Sequence, residues 1–279
     1  MGLTIKIDPG EKVRLAATDT SRDGGLVKTA SRERMDALSA QLGELQELLY
    51  AARRHAVLIV LQGMDTSGKD GTIKHVMSHV NPLGCRVEAF KVPTEEELAH
   101  DFLWRVHKVT PVRGMMAIFN RSHYEDVVVV RVHALVPKST WKPRFDQIVE
   151  FERMLADNGT LILKFFLHIS REEQEERLLA RERDPGKAWK LSAGDWRERE
   201  RWDDYMQAYE DAIMRTATEH APWHIVPADK KWFRDLAVAE AIVDALAARH
   251  DEWDGALRAL ADTKLAELRA MRAAGKRPS

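Results

Sequence analysis

At 279 residues, with 44% hydrophobic and 31% charged residues, the chain has material for one large α/β domain or two small ones. A formal net charge of −1 excludes a global attraction to nucleic acid or to membrane surfaces, so a polyanion would have to meet a local cluster of positive charge. The single cysteine, Cys85, excludes an internal disulfide framework and fits a reducing cytoplasm, and no apolar run approaches the ~20 residues of a membrane span.

Residues 1–30 are polar and show no sustained period, which predicts an extended N-terminal arm. Ser31 opens a helix with apolar positions Met35, Leu38, Leu42, Leu45 and Leu48, ending near His55. The next stretch is V-L-I-V-L-Q-G-M-D-T-S-G-K-D-G-T, residues 57–72. A β-branched apolar run empties into Gly63, Gly68 and Lys69, spaced as in the phosphate-binding loop G-x-x-x-x-G-K. Ile73, Val76, Met77 and Val80 then recur at helical spacing, and Asn81-Pro82-Leu83-Gly84 stops the helix. Strand, glycine loop and helix together aim backbone N–H groups at an anion. The eighth loop position is Asp70, where most such loops carry a Ser or Thr that helps hold Mg²⁺.

Further strands are expected at residues 85–90, 115–120, 161–169 and 224–227, beside the first at 56–62. Helical stretches separate them, two announced by capping boxes (Thr94 with Glu97, Ser170 with Glu173) and one running from about Pro143 to Asp157. This alternation predicts an α/β fold with a parallel five-stranded sheet between helices. Residues 184–195, D-P-G-K-A-W-K-L-S-A-G-D, form a non-periodic insert read as a lid, around 177–200. The expected organisation is an arm over 1–30, a domain over 31–250 that includes the lid, and a C-terminal helix and tail over 251–279. That helix could pack on the core or on another subunit.

Phosphoryl transfer needs charge stabilisation and alignment more than covalent chemistry. Lys69 supplies a point charge for the transferring phosphate. Asp65, inside the loop, either binds Mg²⁺ beside bound phosphates or shapes the turn through loop amides. Asn120 ends the third strand, where many such enzymes carry a Mg²⁺-linked Asp, and Glu125 and Asp126 follow one turn later. Arg121 falls at the sheet's carboxyl edge, where its fork can grip two phosphate oxygens. From Arg177 to Lys190 five positive residues (Arg177, Arg181, Arg183, Lys187, Lys190) stand against two negative ones, a basic lid suited to closing over phosphates. His75 and His79 share a helix face without a third ligand nearby and read as core or surface residues. Trp189, Trp196 and Trp202 either stack on a base or pack the lid down.

The motifs G-M-D-T-S-G-K-D-G, F-N-R-S-H-Y-E-D-V, D-P-G-K-A-W-K-L-S and W-D-D-Y occur in that order. Over roughly residues 30–250 the chain resembles the type-2 polyphosphate kinase family. The resemblance implies a P-loop kinase fold similar to thymidylate kinase, with a helical lid, and transfer of the terminal phosphate of inorganic polyphosphate to nucleotides with Mg²⁺, Mn²⁺ being an alternative. It agrees with catalytic roles for Asp65, Lys69 and Arg121. It assigns the lid arginines and lysines to the polyphosphate path, and with the loop and a trail of cations suited to such a polymer the expected phosphate-binding set is Gly63, Gly68, Lys69, Arg121, Arg131, Arg181, Arg183, Lys187 and Lys190. Asp65, Asn120, Arg121 and Glu125 fall to the nucleotide, and Asp65 with Asp126 to the metal. Many members carry Asp at the Asn120 position and Trp-Tyr-Asn in place of His123-Tyr124-Glu125. The version here resembles class III, whose members accept nucleoside mono- and diphosphates.

The expectation is therefore a cytoplasmic polyphosphate:AMP/ADP phosphotransferase. Its partners are polyphosphate and AMP, ADP or other purine nucleotides, with no nucleic acid and no membrane, in a homo-oligomer (dimer or tetramer). The rivals are an ATP-dependent nucleoside-monophosphate-type kinase and a nucleotide-binding switch protein without transfer chemistry. The absence of an N-K-x-D motif counts against a GTPase.

Overall fold

A computed structural model describes residues 2–190 and 192–273, the side chains of 187, 188 and 190 excepted. Six strands form one sheet: β1 (Ile5–Ile7), β2 (Ala56–Gln62), β3 (Cys85–Ala89), β4 (Met116–Asn120), β5 (Thr160–His168) and β6 (Trp223–Pro227). Their order is β1-β6-β5-β2-β4-β3, and all neighbours are parallel except β1, which runs antiparallel to β6. The five parallel strands expected from the sequence are all present. The count of five is corrected to six, because Ile5–Ile7 of the N-terminal segment pairs with residues 223–225.

The longer helices are α1 (Lys28–Ala52), α2 (Lys69–Val76), α3 (Arg144–Asp157), α4 (Arg171–Glu182), α5 (Ala193–Glu200), α6 (Trp202–Thr216), α7 (Lys231–Ala247) and α8 (His250–Ala273). Strand β2 is buried along all seven residues, between β4 and β5. That burial explains its continuous apolar run, since helices cover both faces of a parallel sheet. Each of its buried Val, Leu and Ile side chains contributes about 1.5–3 kcal/mol. The sum exceeds the about 1–3 kcal/mol that each strained backbone position beyond the strand end costs. Rigid strands can therefore hold an unfavourable loop.

The chain leaves β2, makes α2 and β3, returns to β4, and then crosses to β5 on the other side of β2. The strand order thus reverses around β2, and ligands of open α/β sheets gather outside such a point. The N-terminal segment is tied to the same end of the sheet. Leu15 N donates to Glu210 Oε1 (2.6 Å), and Thr20 Oγ1 donates to Asp229 Oδ2 (2.6 Å). The C-terminal α8 is anchored by buried Trp253, whose Nε1 donates to His55 Nδ1 (3.0 Å). No helix among the described residues is long and apolar enough to cross a membrane.

Candidate active site

The loop between β2 and α2 turns sharply at two glycines. Gly63 has φ +148° and Gly68 φ +104°, values that L side chains rarely adopt. Space forbids a side chain as well. A Cβ on Gly63 would stand 2.6 Å from Leu167 O, and one on Gly68 would overlap the Arg234 guanidinium. Thr66 also sits at positive φ (+65°). What holds the loop there is a set of donors on its carbonyl side. Arg177 Nη1 donates to Thr66 O (2.9 Å) and Ser67 O (3.0 Å), Arg234 Nη1 to Ser67 O (3.3 Å), and Gln174 Nε2 to Asp65 O (3.0 Å). With those carbonyls engaged, the first-turn N–H groups of α2 are the ones left to meet an anion.

Lys69 folds over the loop, its Nζ donating to Gly63 O (2.8 Å) and Met64 O (3.2 Å). Burial, reinforced by the nearby Arg121 charge, holds its ammonium at about 8, below the ordinary 10.5. Arg121 stands at the end of β4 with φ +61°. Its Nη2 bonds Asp65 Oδ1 (2.6 Å) and its Nη1 reaches Glu125 Oε2 (3.5 Å). Burial works against the guanidinium charge, but Glu125 and Asp65 outweigh it and hold Arg121 above the ordinary arginine range. Glu125 also accepts from Gln62 Nε2 (3.1 Å), and burial raises its carboxyl against the opposing pull of Arg121 and Lys69. Asn120 Nδ2 donates to Asp70 Oδ1 (2.8 Å).

These groups border an open cleft of about 580 Å³, lined by Asp65, Gly68, Lys69, Asp70, Asn120 and Arg121 on the sheet side. Phe90 and Lys91 flank it after β3, and Arg181 of α4, Trp189 and Asp195 of α5 line it from the other side. Arg181 is oriented by Asp195 Oδ2 (2.9 Å). The structure thus brings Asp65, Lys69, Asn120, Arg121 and Arg181 to one place, with Glu125 against Asp65 and Arg121 in a small adjoining void. Other expected residues stand elsewhere. Arg131 pairs with Asp211 and covers the Trp141 ring. Asp126 does not line the cleft; Arg144 (3.3 Å) and Arg105 (3.6 Å) take its carboxylate, which burial raises and they pull down. Arg183 is exposed at the end of α4, and the side chains of Lys187 and Lys190 lie outside the described residues.

Three residues that matter here carry no local motif. Arg177 counted only toward the basic lid, yet its fork is buried against four carbonyls, those of Thr66, Ser67, Ala228 and Asp229. Arg234 and Asp235 lie on the buried face of α7, whose other buried residues are apolar, and a charged pair beside the run L-A-V-A is the signal that could have found them. Among the described residues no three His, Cys, Asp or Glu side chains gather as a metal cage. Mg²⁺ in phosphate sites in general relies on one or two carboxylates plus substrate phosphates, and Asp65 at the cleft wall suits that pattern.

A strand, a glycine loop and a capping lysine at the carboxyl edge of a parallel sheet define the class, a P-loop kinase fold. Within it the chain belongs to the Polyphosphate kinase 2 (PPK2) family, whose pattern matches residues 25–253. It is 54% identical over 237 residues to the AMP/ADP-polyphosphate phosphotransferase of Meiothermus ruber, covering 85% of this chain and 88% of the relative. The ADP-polyphosphate phosphotransferase of Rhodopseudomonas palustris is 46% identical over 255 residues, covering 87% and 88%. The crystal structure of polyphosphate kinase 2 from Arthrobacter aurescens TC1 superposes with a TM-score of 0.84 at 44% identity, covering 88% of each chain.

Proposed function

We propose that this protein is a polyphosphate:AMP/ADP phosphotransferase, moving the terminal phosphate of inorganic polyphosphate onto AMP to give ADP and onto ADP to give ATP, reversibly. The observation that carries this reading is the Asp65–Arg121 pair beside Lys69 on the sheet side of an open cleft of about 580 Å³. The family match and the high identity to relatives named for that reaction support it.

In the reaction an acceptor phosphate oxygen attacks the terminal phosphorus of the polymer. The bond to the bridging oxygen breaks, and charge develops on the shortened chain. Lys69 exchanges the Gly63 and Met64 carbonyls for phosphate oxygens and meets that charge, together with the loop amides. Arg121, aimed by Asp65 and Glu125, grips oxygens of the transferring group, and Arg181 closes the site from the lid. Bound Mg²⁺, with Mn²⁺ as the alternative, would neutralise phosphate charge; Asp65, which lines the cleft, would hold it, and Asp126, paired with Arg144 and Arg105, would not. Asn120, in the cleft, and Glu125, in the adjoining void, are assigned to the acceptor nucleotide. The single cysteine supports a reducing cytoplasmic location, and the reading includes assembly as a dimer or tetramer.

The test is a panel of AMP, ADP, GMP and GDP, each incubated with polyphosphate, Mg²⁺ and purified protein, without ATP. Both ADP and ATP are expected from AMP. ATP from ADP alone removes the dual-acceptor assignment, and no product from any acceptor defeats the reading.

A further inference from the structure

Directly behind Arg121 the chain buries an ion pair. Lys164, in the middle of β5, and Glu152, on α3, are both completely shielded from solvent, with Nζ and Oε2 2.6 Å apart. Lys164 fills its other donor positions with Tyr124 OH (2.9 Å) and Thr216 O (2.7 Å). Glu152 Oε1 accepts from Tyr124 OH (2.8 Å) and lies 3.1 Å from His123 Nε2. Trp223 closes the cluster, its ring 4.8 Å from that of Tyr124 and its Nε1 donating to Thr216 Oγ1 (2.9 Å).

Four elements meet at this pair: α3, β5, the end of α6 and the start of β6. What it grips is the turn 122–126, through two adjacent, fully buried residues, His123 and Tyr124. That turn carries Arg121 at its front, at positive φ, and Glu125 on its far side. At the front the backbone is fixed by Arg121 N donating to Leu61 O (3.0 Å). At the back it is fixed by the ion pair.

Replacing a buried ion pair with well-packed apolar side chains is often neutral or stabilising, so stability alone is a weak reason to keep one. A fully bonded charge pair does something an apolar patch does not: it admits only one arrangement of its partners. A displacement of about 1 Å of a group that aligns phosphates can lower turnover about a hundredfold. We infer that Glu152 and Lys164, acting through His123 and Tyr124, are positioning residues that set where Arg121 and Glu125 stand in the cleft. They touch no substrate. The inference rests on the phosphotransferase reading above for its kinetic arm only.

The experiment compares wild type with the double variant Glu152→Leu/Lys164→Met, which removes both charges together, and with Tyr124→Phe, which cuts one link between pair and turn. Expected for the double variant is a folded protein with a lowered melting temperature, since His123 Nε2 and Thr216 O lose their partners, a kcat at least tenfold lower, and a KM for polyphosphate within twofold. Tyr124→Phe should follow the same split with a smaller loss. A double variant that folds and retains kcat within twofold overturns the proposal. Should it not fold, Tyr124→Phe decides alone, and unchanged kcat there overturns it. Nitrogen-15 spectra of the Arg121 guanidinium, recorded on the same proteins, separate this from the activity assignment. A shifted Arg121 signal in variants of a protein whose wild type transfers no phosphate sinks the function and keeps the positioning.

Discussion

The Arg234 guanidinium lies directly beneath Gly68, so close that a methyl group on the glycine would occupy the same space. Arg234 is itself fixed by two bonds to Asp235 Oδ1 (2.8 and 2.7 Å), and swinging aside would break both and leave that buried carboxylate only Thr72 Oγ1 (3.2 Å) and His75 Nδ1 (3.2 Å). Gly68 is also at φ +104°, where a Cβ costs about 1–2 kcal/mol by itself. Gly68→Ala is therefore expected to lower the melting temperature by several degrees and to abolish measurable transfer. Arg234→Ala beside it should recover part of the stability and none of the activity, read by thermal denaturation and initial rates.

The depressed Lys69 ammonium gives a pH dependence with a definite sign. Between about 8 and 10.5 the unfolded chain holds a proton at this residue that the folded chain has released. Its contribution to folding stability therefore rises with pH across that window and is lost as pH falls toward 8. A bound polyanion restores the charge, so polyphosphate binding should take up a proton near pH 9 and none at this residue near pH 6.5. Calorimetry in buffers of different ionisation enthalpy measures the uptake, and equal heats in all buffers near pH 9 contradict it.

Arg177 and Arg181, one helical turn apart on α4, should behave oppositely. Arg177→Ala strips donors from four carbonyls and should cost about 3 kcal/mol of stability, with the loop losing its shape. Arg181→Ala should leave the melting temperature within a degree or two while raising the KM for polyphosphate and flattening its salt dependence. If both variants change only KM, the division between clamp and lid is wrong.

Asn120→Asp would set a second carboxylate against Asp70, where an amide now donates at 2.8 Å. Without a cation the change should destabilise the fold by about 1 kcal/mol, and Mg²⁺ should restore it. Thermal shifts against Mg²⁺ concentration test this. A variant whose melting temperature ignores Mg²⁺ shows that no cation reaches the end of β4 beside Asp65, and contradicts the placing of Mg²⁺ at that cleft wall.

These variants also mark how far the sequence could be read. The loop was legible because strand, glycines, lysine and helix are neighbours in sequence, and local order there is spatial order. Strand β1 was not, since three residues are too few to show a period and its partner lies more than two hundred residues away. Charge counting found the basic stretch but could not say where each side chain points. Arg177 turns inward to the loop carbonyls while Arg181 turns to Asp195. Glu125 and Asp126 divide in the same way, one toward Arg121 and the other toward Arg144 and Arg105. Lys164 in the run L-I-L-K-F-F-L was a visible signal, but its partners Glu152 and Tyr124 come together only in the folded chain.

The donor is the heart of the account, and it can be measured directly. Initial rates of ADP and ATP formation from AMP, with polyphosphate as sole donor, should exceed those of ADP formation from AMP with ATP as sole donor. Lys69→Ala should remove the polyphosphate-dependent rate. Formation of ADP from AMP and ATP, with none from AMP and polyphosphate, would make this an ATP-dependent nucleotide kinase and contradict the account at its centre.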